Sequence, residues 1–284
     1  MFFGFGRPKP VPMPTLVHIT HHKAGSCWVD RILRELFGDQ VVQRIGTEWF
    51  KKKGAEQPCA EPPPQKALTF ADLFHQTPYR EGAVYPSLYL TREEFEKRPE
   101  FANANRFVVI RDPRDTLVSL YFSARESHPL DVNGRVEKLR GELRAQTKEE
   151  GLAMLIESAL NRVTAIQRTW TGGKEIVLRY EDLIVDDLAI FERLLLERFA
   201  IPVSRKRLRK AVEVSRFDKV FKRPLGEVDE KSHGRQGAAG DWKNHFTPEL
   251  RRLFHDKYGD LLIALGYEKD GQWVAAGGCV GATV

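Results

Sequence analysis

Residues 15–38 of this 284-residue chain read TLVHITHHKAGSCWVDRILRELFG, and this stretch decides the fold. It predicts a buried strand over Leu16–Thr20, a loop that carries Lys23 and Gly25, and an amphipathic helix that ends at Gly38. A strand that opens through a loop into a helix gathers free backbone N–H groups and the positive end of the helix dipole at one point. The stretch therefore predicts an anion site between strand and helix.

The rest of the chain continues the alternation of strands and helices. Further strands are predicted over residues 40–45, 83–85, 105–111 (NRFVVIR, the clearest of them) and 175–180. Helices are predicted over residues 70–75, 92–98, 116–126, part of 131–145, 149–170, 181–199, 204–214 and 247–265. This order predicts a three-layer α/β fold, with a central, mainly parallel sheet flanked by helices on both faces.

A single domain accounts for the whole length, because 284 residues suit one large α/β domain. Residues 1–14 are rich in proline and are expected to form an extended lead-in, and residues 271–284, rich in Gly and Ala, a flexible tail. Residues 51–65 hold three lysines and a run of three prolines. This segment is expected to be a loop that either gates the substrate or simply connects two elements at the surface.

Composition and charge limit the functional classes. The net charge of +6 is consistent with an anionic ligand, although the basic residues are interspersed with 39 acidic ones and most of the excess is expected to be solvated surface. Cys27, Cys59 and Cys279 form neither a CxxC pair nor an even set, which predicts free thiols in a reducing cytoplasm. No stretch has the length of a membrane span, and no His/Cys cluster has metal-ligand spacing.

Two functional classes could use the predicted anion site: a nucleotide-dependent kinase and a basic nucleic-acid-binding protein. A nucleotide-dependent small-molecule kinase would carry the loop GxxxxGK[ST], but residues 21–28 read HHKAGSCW, with the lysine before the glycine. No early strand ends in an acidic residue that would hold magnesium. A basic nucleic-acid-binding protein is the nonenzymatic alternative, but the sequence lacks a concentrated basic and aromatic stripe. We therefore expect no nucleic-acid partner, and the kinase and the basic nucleic-acid-binding protein are kept as alternatives.

Four motifs occur in order between residues 21 and 244. They read HHKAGSCW at 21–28, NRFVVIRDPRDTLVSLYF at 105–122, VLRYEDL at 177–183 and RQGAAGDWKN at 235–244. In this order they resemble the 5′-phosphosulfate loop (typically PKSGTTW), the 3′-phosphate motif, the Tyr-Glu-Asp turn and the C-terminal R-K-G-x-x-G-D-W-K-N of the sulfotransferases that use 3′-phosphoadenosine 5′-phosphosulfate (PAPS). The resemblance implies a P-loop-like fold and transfer of a sulfuryl group from PAPS to a hydroxyl or amine acceptor. Adenosine 3′,5′-bisphosphate (PAP) would be the other product, and no metal is implied.

The resemblance also assigns donor-binding roles to residues of the motifs. They are Lys23, Ala24, Gly25, Ser26, Cys27, Trp28, Arg111, Ser119, Tyr180, Phe217, Arg235, Gln236 and Gly237. Lys23 is implied to contact the oxygen that bridges phosphorus and sulfur, where charge develops as the bond breaks. Arg111 and Ser119 are implied to hold the 3′-phosphate, because a guanidinium can fork onto phosphate oxygens. Trp28 is implied to stack on the adenine.

Several of these residues have a structural alternative. Trp28 could be an ordinary core aromatic. Arg111 could form an ion pair with a nearby aspartate, and Ser119 could bond back to its own helix. Cys27 replaces the Ser or Thr of the family, and we expect a buried, inert thiol there, with a lowered pKa at the helix N-terminus as the alternative.

The predicted general base is Glu48. Small-molecule members of the family carry a histidine in a K-T-H-L-P segment, and Ser87 occupies that position here; a serine is a poor base near neutral pH. The carbohydrate-modifying branch uses a glutamate in T-E-x-x-F-F, which residues 46–50, GTEWF, resemble. Partial burial would raise the pKa of Glu48 and suit it to this role. The alternative bases are histidines: His75, His22 and His21.

The acceptor is expected to be a small molecule, a lipid or a carbohydrate. Its pocket is predicted between residues 48 and 89 and in the helices after residue 127, where the resemblance is weakest. The family's dimer segment, K-x-x-x-T-V-x-x-x-E, is matched only by Lys243 and Thr247, because proline and arginine replace its valine and glutamate. The sequence therefore predicts neither that dimer nor another oligomeric state.

Overall fold

The computed structural model describes residues 12–46, 68–131 and 133–275. Its strands are β1 (Leu16–Thr20), β2 (Val84–Leu88), β3 (Asn105–Ile110) and β4 (Ile176–Arg179). They form one sheet in the order β2-β1-β3-β4, and all three pairings are parallel. The carboxyl ends of parallel strands meet at one edge of the sheet, which is where ligands bind in open α/β folds.

Helices cover both faces of the sheet. The α-helices of the described residues are α1 (Ser26–Phe37), α2 (Phe70–Gln76), α3 (Arg92–Glu96), α4 (Pro113–Phe122), α5 (Arg135–Ala145), α6 (Lys148–Ser158), α7 (Asn161–Trp170), α8 (Tyr180–Phe191), α9 (Arg205–Ser215), α10 (Phe217–Phe221) and α11 (Pro248–Ala264). A π-helical turn extends α4 and another extends α8. None of these helices combines the length and apolarity that a bilayer span needs.

Strand residues alternate between two apolar clusters because successive side chains of a strand point to opposite faces. Leu16, Phe107 and Val109 pack with α1, α8 and α9 on one face. Val17 and Val108 pack with α2, α3, α7 and α11 on the other. The predicted three-layer α/β architecture is therefore confirmed, and the sheet is fully parallel within the described residues.

Residues 15–38 have the predicted structure, a buried strand followed by a loop and an amphipathic helix. All five residues of β1 are buried, and α1 buries one face against the sheet through Ile32, Leu33, Leu36 and neighbouring residues. Helix α1 ends where Gly38 takes a φ of 52°, a left-handed value that favours glycine.

Two predicted elements differ in the structure, and several predicted segments lie outside the residues that it describes. Residues 40–45 are not a strand, because the segment makes a single bridge, from Val41 to Val84, after a 3₁₀ turn at Gly38–Gln40. The predicted helix 149–170 is two helices, α6 and α7, which separate after Ser158. Residues 1–11, 47–67 and 276–284 lie outside the described residues, and they include most of the predicted lead-in, loop and tail.

Candidate active site

A cleft of about 620 Å³ opens at the carboxyl edge of the sheet. Lys23 follows β1, Arg111 follows β3 and Tyr180 follows β4, so the parallel topology brings three distant motifs to one place. Twelve of the thirteen predicted donor-binding residues line it: Lys23, Gly25, Ser26, Cys27, Trp28, Arg111, Ser119, Tyr180, Phe217, Arg235, Gln236 and Gly237. The thirteenth, Ala24, is fully buried within the loop after β1.

The loop after β1 depends on two residues in the left-handed region. Lys23 has a φ of 68° and Gly25 a φ of 79°. A Cβ atom on Gly25 would lie 2.9 Å from the Tyr180 ring, so only glycine fits there. Among the described residues no side chain caps the N-terminus of α1, which leaves the N–H groups of its first turn facing the cleft as an anion site.

Lys23 lies among other positive groups. Burial lowers the pKa of its ammonium to about 8, and Arg111 and Arg235 act in the same direction against the opposing effect of Cys27. Such a concentration of cations is unfavourable in the free protein and becomes favourable when an anion enters. The loop is therefore electrostatically suited to a multiply charged anion.

His21 ties the loop after β1 to the end of β3. The backbone N–H of Arg111 donates to His21 Nε2 at 3.1 Å, which places the ring proton on Nδ1, and Nδ1 donates to the carbonyl of His22 at 2.9 Å. Burial lowers the pKa of His21 to about 4, so the ring is neutral. Both ring nitrogens serve the fold, which leaves neither of them to an acceptor.

The Arg111 side chain is held between two segments of the site. Its guanidinium donates to the carbonyl of Lys23 at 3.2 Å and to the carbonyl of Ala238 at 3.0 Å, and it lies 4.5 Å from the centre of the Tyr180 ring. Asp115 is 3.8 Å away, so the ion pair considered from the sequence is present but long. The Nε atom is buried and has no hydrogen-bond partner among the described residues.

The segment after residue 234 is held over the cleft by hydrogen bonds to residues of the second and third motifs. Asp115 accepts from the backbone N–H groups of Gly240 at 2.6 Å and of Trp242 at 2.9 Å. The Tyr180 hydroxyl donates to the Gly237 carbonyl at 2.5 Å. Arg235 pairs with Asp241. These contacts place the fourth motif against the second and third.

Trp28 lines the cleft and also packs against the apolar cluster that includes α1. Its ring is partly buried, lies edge-on to Tyr180 at 6.2 Å, and carries an indole N–H that is buried without a partner among the described residues. Its position is compatible with both interpretations, and the role of Trp28 at the adenine stays a prediction.

Among the cleft residues to which the sequence assigned no role are Arg44, Tyr89, His128 and His233, although Tyr89 closes the range predicted to line the acceptor pocket. Arg44 reaches Cys27 Sγ at 3.2 Å and Ser26 Oγ at 3.2 Å, and it contacts the Tyr89 hydroxyl. That hydroxyl donates to Ser26 Oγ at 2.8 Å. Arg44 went unrecognised because it lies in the segment wrongly predicted as a buried strand.

The expectation of a buried, inert Cys27 is wrong. The thiol is exposed, with Arg44 at 3.2 Å and His233 Nε2 at 3.7 Å. Partial burial acts to raise the pKa of the thiol, but the His233 hydrogen bond and the positive Arg44 outweigh it and lower the pKa to about 6. Cys27 is therefore mostly a thiolate at neutral pH.

The rate of Cys27 alkylation by iodoacetamide is expected to rise with pH and to level off with a midpoint of about 6, because the thiolate is the reacting species. An ordinary cysteine has its midpoint near about 8.5. Arg44→Ala removes a stabilising positive charge and is expected to move the midpoint upward. The rate is measured by mass spectrometry of the Cys27 peptide; a wild-type midpoint at or above 8.5 would contradict the assignment.

Ser87 is hydrogen-bonded to β1 and to the start of α1. It is fully buried with a φ of 54°, and its backbone N–H donates to His18 Nδ1 at 3.2 Å. Its hydroxyl donates to the carbonyl of Ser26 at 3.2 Å. The residue at the position of the family's histidine therefore supports the loop.

The candidate bases are placed differently. Glu48 lies outside the described residues and stays a prediction. His75 is exposed on α2 and is not among the residues that line the cleft. His22 lines the cleft, with its ring stacked on Tyr89 at 4.3 Å.

Comparison with known proteins places this cleft in context. Residues 14–266 match the family described as the sulfotransferase domain. Sulfotransferase 6B1 of Danio rerio is 23% identical over 266 residues, which are 88% of this chain and 80% of that protein.

Two solved structures have a similar fold. One is mouse sulfotransferase SULT7A1 complexed with PAP, with a TM-score of 0.59, 13% identity, and coverage of 94% of this chain and 88% of that chain. The other is retinol dehydratase in a complex with retinol and PAP, with a TM-score of 0.54, 16% identity, and coverage of 89% and 82%. At these identities the likeness is one of fold.

Proposed function

This chain belongs to the sulfotransferase family, and from that premise we propose that its cleft binds PAPS and transfers the sulfuryl group to a hydroxyl or amine of a small acceptor. The observation that carries the proposal is the pair of cationic positions at the ends of neighbouring strands, Lys23 after β1 and Arg111 after β3. PAPS has a phosphosulfate at one end and a 3′-phosphate at the other. A cleft of about 620 Å³ is within the usual range for a small-molecule site.

The residues of the cleft fit this donor. Arg111 and Arg235 each have a buried Nε atom without a partner among the described residues, and both line the cleft. With Ser119 and the backbone of Gln236 and Gly237, they would hold the 3′-phosphate. A fork of guanidinium donors suits a phosphate better than a single ammonium does.

The phosphosulfate and the adenine of the donor would be bound by different residues. Lys23, Ser26 and the N–H groups at the start of α1 would hold the phosphosulfate. Trp28, Tyr180 and Phe217 would enclose the adenine, and the unpartnered indole N–H of Trp28 could then donate to the ligand. The two cationic positions would thus hold the phosphosulfate and the 3′-phosphate of the donor, and the aromatic residues would enclose its adenine.

Catalysis would consist of positioning and charge stabilisation. The acceptor oxygen attacks sulfur in line with the bridging oxygen, whose negative charge grows as the sulfur–oxygen bond breaks. Lys23 would stabilise that charge, an interaction that is stronger in the transition state than in the bound substrate. The products would be the sulfated acceptor and PAP.

A small hydroxylated acceptor is the class that we propose. The retinol dehydratase structures contain retinol or androsterone together with PAP, and that protein shares this fold. The choice among a small soluble molecule, a lipid and a carbohydrate stays a prediction, as does the cytoplasmic location. A screen of candidate acceptors with labelled donor tests this class. If no hydroxyl or amine compound in the screen acquires the label, the proposed acceptor class is contradicted.

We propose Glu48 as the general base. The chain reaches the cleft at Arg44, and the four residues from there to Glu48 span at most about 14 Å. A carboxylate within that reach of the cleft can approach the acceptor hydroxyl. Ser87 does not compete for the role because its hydroxyl is buried and donates to Ser26.

Glu48→Gln is expected to lower turnover about 10²- to 10⁴-fold, the usual contribution of a general base, and to leave PAP affinity unchanged. His75→Ala is the matched control and is expected to keep wild-type turnover, because His75 lies outside the cleft lining. Turnover is measured as PAP release in the presence of an active acceptor. An active Glu48→Gln enzyme, with turnover lost instead in His22→Gln, would assign the base to His22.

A further inference from the structure

Positive charge is concentrated in residues 205–223. This segment holds nine Lys and Arg residues and two Asp and Glu residues, a net charge of +7, whereas the whole chain carries +6. The remainder of the chain is therefore close to neutral. The excess positive charge of the chain is thus no larger than that of this one segment, and most of it lies on exposed side chains, as expected of solvated surface.

Helix α9 presents most of this charge to solvent. Leu208, Ala211 and Val212 are buried in the cluster that includes α1 and the sheet. The opposite face is basic and exposed, and four of its side chains form no ion pair with any described residue: Lys206, Arg207, Arg209 and Lys210. Arg205 has a partner, Glu192, at 3.7 Å. The exposed Glu213 lies on the same face of α9, so the charge of these four cations is only partly compensated.

Exposed apolar side chains border this basic face. Seven large hydrophobic side chains are exposed among the described residues, and four of them lie between residues 185 and 228. They are Val185 (84% exposed), Val214 (42%), Leu225 (48%) and Val228 (51%). Val214 is on α9, Val185 is on the adjacent α8, and Val185 and Leu225 line the mouth of the cleft. We call Val185, Val214 and Leu225 the apolar lip.

We propose that α9 and the apolar lip form a docking surface for anionic membranes. The basic side chains would contact lipid phosphates and carboxylates, and the lip would enter the headgroup region. Juxtaposed basic and aliphatic groups are typical of helices that lie on a membrane surface. Each basic residue near an anionic leaflet strengthens binding about fivefold, and the attraction fades within a Debye length.

A membrane explains this surface better than a nucleic acid does. Single strands are bound through aromatic side chains on which the bases stack, and the exposed face of α9 has none. Exposed valine and leucine side chains gain nothing beside a phosphodiester backbone but gain burial in a headgroup layer. The docking does not depend on sulfuryl transfer. One consequence does rest on the proposed function: docking would turn the mouth of the cleft toward lipid, from which a hydrophobic acceptor could enter.

Sedimentation with vesicles tests the proposal on the full chain. Wild-type protein is expected to bind phosphatidylcholine vesicles that contain phosphatidylserine, to bind pure phosphatidylcholine far less, and to dissociate as salt is raised. The double substitution Lys206→Glu/Lys210→Glu is expected to weaken binding at least about tenfold. The matched control Lys97→Glu/Lys174→Glu makes the same charge change at two other exposed lysines and is expected to bind like wild type.

Val214→Ser separates the apolar contribution from the charge. It is expected to reduce binding to the same vesicles several-fold without changing the salt dependence, and circular dichroism checks that the fold is retained. Three results would overturn the proposal: no binding of wild type to anionic vesicles, equal losses in the α9 and control variants, or slower PAP association in the α9 variant with unchanged vesicle binding. The last would make α9 a device that steers the anionic donor.

Discussion

Lys23→Ala is expected to lower turnover about 10²- to 10³-fold, with less than a tenfold change in PAP affinity. This is the usual loss when a preorganised group that stabilises developing charge is removed. PAP keeps the former bridging oxygen as an oxygen of its 5′-phosphate, but the N–H groups at the start of α1 also hold that phosphate, so loss of Lys23 is expected to affect PAP less than the transition state. Turnover is measured with saturating donor and PAP affinity by calorimetry. Unchanged turnover, or a loss confined to PAP affinity, would contradict the role of Lys23.

Lys23→Ala is also expected to change the pH dependence of the protein's folding stability. The pKa of Lys23 is lowered to about 8 in the folded protein, so its protonated form is less favourable there than in the unfolded chain. Wild type therefore carries a stability penalty below pH 8 that disappears as the pH rises from about 8 toward the unfolded value near 10.4. Lys23→Ala should melt at a higher temperature than wild type at pH 7, and the difference should shrink above pH 8. Lower stability at pH 7 would show a structural role instead.

Arg111→Ala is expected to weaken PAP binding about 10²-fold or more. A buried guanidinium that forks onto a phosphate loses both hydrogen bonds and charge when it is truncated, and such losses are commonly about 2–5 kcal/mol. Arg111→Lys keeps the charge without the fork and is expected to recover only part of the affinity. Affinities are measured by calorimetry on the purified variants.

Adenosine 5′-monophosphate provides the control for Arg111, because it lacks the 3′-phosphate. Arg111 also binds the carbonyls of Lys23 and Ala238, so its loss could loosen the whole site. If Arg111 recognises the 3′-phosphate, the substitution should remove the preference for PAP over adenosine 5′-monophosphate. Equal losses for both ligands would indicate that Arg111 only holds the loops together.

The site was largely predictable because its motifs stand at the ends of buried strands. Runs of apolar residues identified β1 and β3, and parallel pairing necessarily brings the residues that follow them, Lys23 and Arg111, to one edge. The loop geometry was also readable, since Gly25 stands where a left-handed residue packs against Tyr180.

The failures share a dependence on distant contacts. Residues 40–45 have an apolar pattern that an edge strand and an extended segment share, and only the single bridge to β2 distinguishes them. The ionisation of Cys27 depends on Arg44 and His233, which lie 17 and 206 residues away in sequence. The break between α6 and α7 carries neither glycine nor proline, so the helical pattern of the sequence runs through it.

Calorimetric titration of the wild-type protein with PAP, beside ATP with and without magnesium, tests the central claim most directly. The proposed cleft recognises a 3′-phosphate and a 5′-phosphate through cationic side chains and backbone N–H groups. PAP should therefore bind at one site per chain, more tightly than ATP, with an affinity that magnesium does not increase. Absence of PAP binding, or a magnesium-dependent preference for ATP, would contradict the account.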